Sequence, residues 1–230
     1  RCYDQIRLQV AYARANVKLV GASAGLTIGT DGATHQSLDD IALTRILPGM
    51  TVLVPADATE AYKAVFAAAK IPTPVYIRLG RYATPVIFPE EYQFEIGAVP
   101  VLRSGQDLTL YATGIMTALA LETAEILADR GLEASVLNVS TLKPLNTEAI
   151  LEAAADKKLC VTMEEHWIAG GLGSAVAETL AEVRGTPPLV RMGVQDRFGQ
   201  SATADELLAY YGLEPGQMAE VIAGVLDRDI

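Results

Sequence analysis

The chain has 230 residues, of which 50% are hydrophobic and 20% charged, and its formal net charge is −10. This balance suits one large or two small packed α/β domains and argues against disorder. The acidic surplus disfavours nucleic acid and anionic membrane surfaces, since both select basic patches. Cys2 and Cys160 are too few and too far apart for a disulfide framework or a metal site, and Cys160 reads as a small buried apolar residue. No stretch has the pattern of a signal peptide or a spanning helix, so the expected location is the cytoplasm.

Helical spacing over residues 4–16 predicts a first helix, followed by a short strand from Val17 to Gly21. The strand opens into Ala22-Ser-Ala-Gly-Leu-Thr-Ile-Gly-Thr-Asp-Gly-Ala-Thr-His-Gln36, a glycine-dense loop holding a carboxylate and one of only two histidines. Such a loop at a strand's end lets backbone approach a ligand closely. The same residues also suit a tight turn in which Asp31 makes an Asx turn and Thr34 caps a helix. A short helix from Leu38 to Leu47 should stop at Pro48-Gly49, with a strand from Thr51 to Val54 behind it. Asp57 is placed to cap the helix from Ala58 to about Ala69, with Glu60 completing a capping box. A strand from Val75 to Leu79 closes the first unit.

Residues 83–100 carry Pro85, Pro89, Glu90 and Glu91 and read as a linker over the surface. The alternation then restarts, with strands at Leu108–Tyr111, Ala134–Val139, Lys158–Met163 and Leu189–Gly193. Between them lie helices at Met116–Arg130, with Gly131 after its end, at Thr147–Ala155, capped by Asn146, and at Gly170–Val183. Lys143-Pro144 reads as a turn, and Thr203 with Glu206 as a capping box for a helix from Ala204 to Tyr211. A last helix spans residues 216–225. Strands alternating with helices imply mainly parallel sheets with right-handed crossovers. The expected architecture is therefore two three-layer α/β/α domains, at 1–82 and 101–230.

The glycine loop does not stand alone. Upstream is Arg1-Cys-Tyr-Asp-Gln-Ile6; downstream are Leu47-Pro-Gly-Met-Thr-Val-Leu-Val-Pro-Ala-Asp57 and Tyr76-Ile-Arg-Leu-Gly-Arg81. Together, in this order, they resemble the pyrimidine-binding domain of the transketolase family. The remainder, including Glu164-Glu-His-Trp-Ile-Ala-Gly-Gly-Leu-Gly-Ser174 and Asp196-Arg-Phe-Gly-Gln200, resembles the transketolase C-terminal domain. The resemblance covers essentially the whole chain and is greatest to the C-terminal subunits of bacterial transketolases split into two polypeptides.

The resemblance implies thiamine diphosphate as cofactor, the electron sink for moving a two-carbon ketol unit from a ketose phosphate to an aldose. It implies that His35 reaches the reacting carbonyl and hydroxyl region, as a donor or proton shuttle. Asp31 then accepts from a donor-sugar hydroxyl and so reads its stereochemistry. Arg81 falls at a phosphate-binding arginine, where a guanidinium suits bidentate contacts. Arg78 is a second candidate, and a structural ion pair is the competing role. Ser23 stands near a position where ordinary transketolases have a histidine and deoxyxylulose phosphate synthases an arginine, and Thr30 replaces a glutamate usual before the Asp-Gly pair. Both departures point to an altered acceptor preference. The motif that ligates magnesium (or calcium) belongs to the other half of the family's fold, and Gly29-Thr-Asp-Gly32 lacks its asparagine. The activating glutamate and the ring-stacking aromatics precede the Arg-x-Tyr-Asp-Gln motif. The chain, read as a fragment, is thus expected to be inert alone and to work as a heterotetramer with a partner subunit that holds the metal and diphosphate. A deoxyxylulose-phosphate-synthase-like enzyme, the β subunit of a 2-oxo acid dehydrogenase and a non-catalytic dimerisation module are the rival readings. In the C-terminal domain, Glu165 and His166 are expected near the boundary between the units, in a structural role, with Trp167 as a packing anchor.

Overall fold

The computed structural model describes residues 1–227. Two sheets organise it. The first contains β1 (Lys18–Gly21), β3 (Val75–Arg78) and β2 (Thr51–Leu53), all parallel, and β7 (Thr141–Lys143), in the order β1-β3-β2-β7. The second contains β6 (Ala134–Asn138), β5 (Leu108–Ala112), β8 (Leu159–Trp167) and β9 (Leu189–Val194), all parallel, with β4 (Val101–Arg103) antiparallel at the edge, in the order β4-β6-β5-β8-β9. Strands β2, β3, β5 and β6 are buried at every position, as continuous apolar runs covered on both faces should be. The helices are α2 (Asp40–Arg45), α3 (Ala58–Lys70), α4 (Met116–Ala128), α5 (Thr147–Ala154), α6 (Leu172–Ala181), α7 (Ala204–Tyr210) and α8 (Pro215–Leu226). No described helix is long and apolar enough to cross a membrane.

Several sequence expectations shift. The helix expected over 4–16 is a single α turn, α1 (Tyr3–Gln5), that widens to π-type bonding over Ile6–Tyr12. Ala15 N–H reaches back five residues to the Val10 carbonyl, and Arg14 at φ 51° turns the chain out of the helix. Residues 26–31 form 3₁₀ turns kinked at Gly29 instead of an open loop. Glu60 does not complete a capping box: Asp57 caps α3 through Glu60 N–H (2.7 Å), while the Glu60 carboxylate takes Ala56 N–H (2.7 Å). The capping box at Thr203 and Glu206 does form.

The segment after β3 has no regular structure, but it is pinned. The free oxygen of Asp57 accepts Ile87 N–H and Phe88 N–H at 2.6 and 2.8 Å, and the buried Phe88 stacks on Tyr92. Lys143-Pro144 is not a hairpin turn between elements of one sheet. It ends β7, which crosses to the first sheet and pairs antiparallel with β2. A buried sheet edge left unpaired would strand backbone donors and acceptors, and β7 supplies their partners. The Lys143 ammonium also donates to the Arg45 and Leu47 carbonyls at the end of α2 (2.7 and 2.6 Å).

The cores are shared as well. Leu26 and Leu38, which bracket the glycine loop, are buried among Leu108, Leu110, Met163 and Leu207 of the second unit. Ile41, Val52 and Val54 pack with Tyr111, Leu137 and Leu172.

Candidate active site

The site is assembled where two neighbouring parallel strands end. Because β1 and β3 are parallel and adjacent, the loops that leave their C-terminal ends emerge side by side. Gly21 C=O accepts Leu79 N–H (2.8 Å), and Ala24 N–H returns to Leu79 C=O (3.0 Å), stitching the two exits together. Arg81, two residues past this stitch, therefore reaches the far side of the glycine loop. Its guanidinium lies 2.9 Å from the Asp31 carboxylate, with both side chains about half exposed. His35 is exposed one turn further on, with Nδ1 3.1 Å from the Thr34 hydroxyl. The structure thus pairs two of the five site residues named from the sequence, Arg81 and Asp31, and His35 follows four residues after Asp31 in the same loop.

Ser23 sits half-buried in the turn between β1 and the 3₁₀ segment, at φ 58°. A left-handed serine costs roughly 1–2 kcal/mol of backbone strain. Arg78 is separated from the other candidates. It is buried; its Nε–H donates to the Asp40 carboxylate (3.0 Å) and its Nη2 to the Glu165 carbonyl (2.8 Å) and the Ser37 carbonyl (3.3 Å). This burial and the Asp40 pairing favour a structural ion-pair role for Arg78 over a phosphate contact.

Arg78 opens a buried polar seam between the units that sequence reasoning only glimpsed. Burial pushes the Asp40 carboxyl up, but Arg78 and the Tyr76 hydroxyl (2.7 Å) outweigh it and hold the group below its usual range. On the other side, β8 continues past its apolar run into Glu164, Glu165 and His166, all buried. Glu164 accepts Leu172 N–H and Gly173 N–H (2.7 and 2.8 Å) at the start of α6. The Gly170–Gly173 turn is thus filled from inside by this carboxylate. Burial pushes Glu164 up to about 7 despite those bonds, and it pushes His166 down to about 4. The neutral His166 donates from Nδ1 to the Trp167 carbonyl (2.6 Å) and accepts Ala42 N–H at Nε2 (3.4 Å), while Trp167 N–H bonds the Leu38 carbonyl (2.9 Å). Glu165 accepts Thr27 N–H, the first free donor of the 3₁₀ segment. The missed signal was there: three titratable residues in a row continue an otherwise apolar strand, and such groups stay buried only with partners.

The exposed donor set suits a hydroxyl-bearing, anionic ligand. Asp31, His35 and Arg81 offer an exposed acceptor, a titratable donor and a phosphate-matching cation for a sugar. For a metal the fit fails, because among the described residues no three His, Cys, Asp or Glu could hold an ion. A 330 Å³ cleft at the ends of β2 and β3, lined by Pro55, Asp57, Leu79, Gly80 and Tyr82, has no cation for a diphosphate, and the oxygens of Asp57 are already taken.

The transketolase pyrimidine binding domain matches residues 1–86, and the transketolase C-terminal domain matches residues 97–218. The chain belongs to the transketolase family. Membership of the pyrimidine-binding family implies dependence on thiamine diphosphate. Among relatives, the chain is 42% identical over 228 residues to the 6-deoxy-6-sulfo-D-fructose transketolase subunit SqwH of Clostridium sp. (strain MSTE9), spanning 99% of this chain and 70% of that protein. It is 39% identical over 216 residues to an apulose-4-phosphate transketolase subunit of Phocaeicola vulgatus, spanning 93% of this chain and 68% of that one. A solved structure of a split gene transketolase, an inactive beta4 tetramer, superposes with a TM-score of 0.91 at 43% identity, covering 99% of this chain and 72% of that one.

Proposed function

We propose that this chain is the sugar-recognising subunit of a split transketolase, moving a two-carbon ketol unit from a ketose phosphate to an aldose or aldose phosphate. The observation that carries the reading is the exposed pair at the strand ends, where Arg81 and Asp31 stand 2.9 Å apart in reach of the loop that also carries the exposed His35. Thiamine diphosphate, when bound, supplies the electron sink for cleaving the carbon–carbon bond. The residues of this chain bind and orient. Asp31 accepts a hydroxyl of the donor sugar and so selects its configuration. Arg81 swings from Asp31 to the sugar phosphate, an exchange that the low cost of an exposed ion pair permits. His35 donates to the oxygen where charge develops and carries its proton. Ser23, neutral and short, leaves the acceptor side open, so acceptors smaller or differently phosphorylated than those of ordinary transketolases are accommodated.

In this reading a partner subunit holds Mg²⁺ and the diphosphate, in a heterotetramer with the site at the interface. Relatives named as subunits, and one solved as an inactive beta4 tetramer, support the same division of labour. The test is ketol transfer by the reconstituted complex, with xylulose 5-phosphate and pyruvate offered as rival donors. Turnover of the sugar by the complex, and none by this chain alone, is expected. Preference for pyruvate overturns the reading. For Ser23→His, acceptor KM for phosphorylated aldoses should fall; an unchanged KM removes Ser23 as a specificity determinant.

A further inference from the structure

The underside of the glycine loop is built by the other unit of the chain. Leu26 and Leu38 lie in the core of the second unit, and Gln36 donates to the Gln200 carbonyl (2.9 Å) and the Leu26 carbonyl (3.2 Å). Gly32, at φ 79°, lies over the Ser201 hydroxyl with no space for a side chain, and Tyr82 donates to Asp205 (2.6 Å). The deepest of these contacts is Glu165. It is 2% exposed on β8, and one carboxylate oxygen accepts Thr27 N–H, 138 residues away in sequence. Its other oxygen has no partner among the described residues. Gly25, at φ 92°, passes directly over the carboxyl group, and any side chain there would collide with it.

An apolar residue would fill this space at less cost, because a buried, incompletely satisfied carboxyl group costs several kcal/mol. What an apolar residue could not do is accept the orphan N–H at the start of a helical segment. That segment, Leu26–Asp31, ends in the proposed sugar-reading carboxylate. We infer that Glu165 is a positioning residue: reaching across from the C-terminal unit, it fixes the start of the 3₁₀ segment and thereby sets where Asp31 and His35 stand. The C-terminal unit then contributes to donor recognition without touching the sugar. The kinetic consequence rests on the proposed role of Asp31, whereas the brace itself does not.

The experiment compares Glu165→Ala, Glu165→Gln and Asp31→Ala in the full chain assembled with its partner subunit. Hydrogen exchange of the peptide covering residues 25–36 reads the brace. Discrimination between xylulose 5-phosphate and its epimers, as kcat and KM separately, reads the consequence. Glu165→Ala should raise exchange in 25–36 selectively and lower epimer discrimination by about tenfold or more, mainly through kcat. Glu165→Gln keeps an acceptor and should restore both. Exchange in 25–36 that is unchanged, or that rises equally through β8 and the rest of the chain, overturns the brace, as does a Gln variant as loose as Ala. If Glu165→Ala fails to fold, Gly25→Ala breaks the same seat from the loop side and must give the selective rise. If Asp31→Ala leaves epimer discrimination intact, the sugar reading falls, and the exchange data still decide the role of Glu165.

Discussion

Arg81 and Arg78 stand three residues apart at the end of the same strand, yet they live in opposite environments. Arg81 is half exposed, with one exposed carboxylate as its partner. Arg78 is buried, with Asp40 and two backbone carbonyls around it. Solvent screening keeps the first pair weak and exchangeable, as the proposed phosphate contact of Arg81 requires. The second cannot be opened without stranding a charge in the interior. The rim of the site is therefore free to respond while the seam beneath it is fixed.

That contrast breaks most visibly at Asp40. Asp40→Ala leaves Arg78 without its counter-charge and Tyr76 without its acceptor, and denaturant unfolding should show a loss of about 3–5 kcal/mol. A loss below about 1 kcal/mol would show that the seam is no more rigid than the rim.

The seam also has a pH signature. The His166 pKa is lower folded than unfolded, so below about 6.5 the unfolded chain binds the extra proton and stability rises as pH climbs from about 4 to 6.5. The Glu164 pKa is raised on folding, so from about 4.5 to 7 the unfolded chain loses the proton first and stability falls across that window. The two slopes oppose each other in the native chain. Glu164→Gln should unmask a rise with pH, and His166→Gln a fall, each of about 3 kcal/mol in total. Denaturant midpoints measured across pH 4–7.5 check both signs.

A smaller effect is expected at Asp57, which pins the segment after β3. Asp57→Ala removes the cap of α3 and the acceptor for Ile87 and Phe88, at a cost of about 2 kcal/mol, with increased proteolytic nicking in the segment following β3. At the rim, Arg81→Met should change unfolding stability by less than about 1 kcal/mol.

The sequence carried the rim better than the seam. The proximity of Asp31 and Arg81 was legible because the motif order is local and the parallel register of β1 and β3 places their loops together. The parallel strands and the Thr203 capping box were legible for the same local reason. What escaped was long-range. Nothing near Thr141–Lys143 announces that it will cross to the other sheet, since that pairing satisfies an edge set by strand order. Asp40 reads as an ordinary first-turn acid until β3 places Arg78 against it. The link from Glu165 to Thr27 depends on both sheets being in position, so no local pattern encodes it.

The central claim is that Asp31, His35 and Arg81 form a sugar phosphate site on this chain. The most direct measurement is kcat/KM of the reconstituted complex for a ketose phosphate and for the same ketose without its phosphate, in the native chain and in Arg81→Met. Loss of a charged hydrogen bond predicts a fall of about tenfold or more for the phosphorylated sugar and little change for the other, at an unaltered melting temperature. An equal fall for both sugars, or no fall for either, would contradict the assignment.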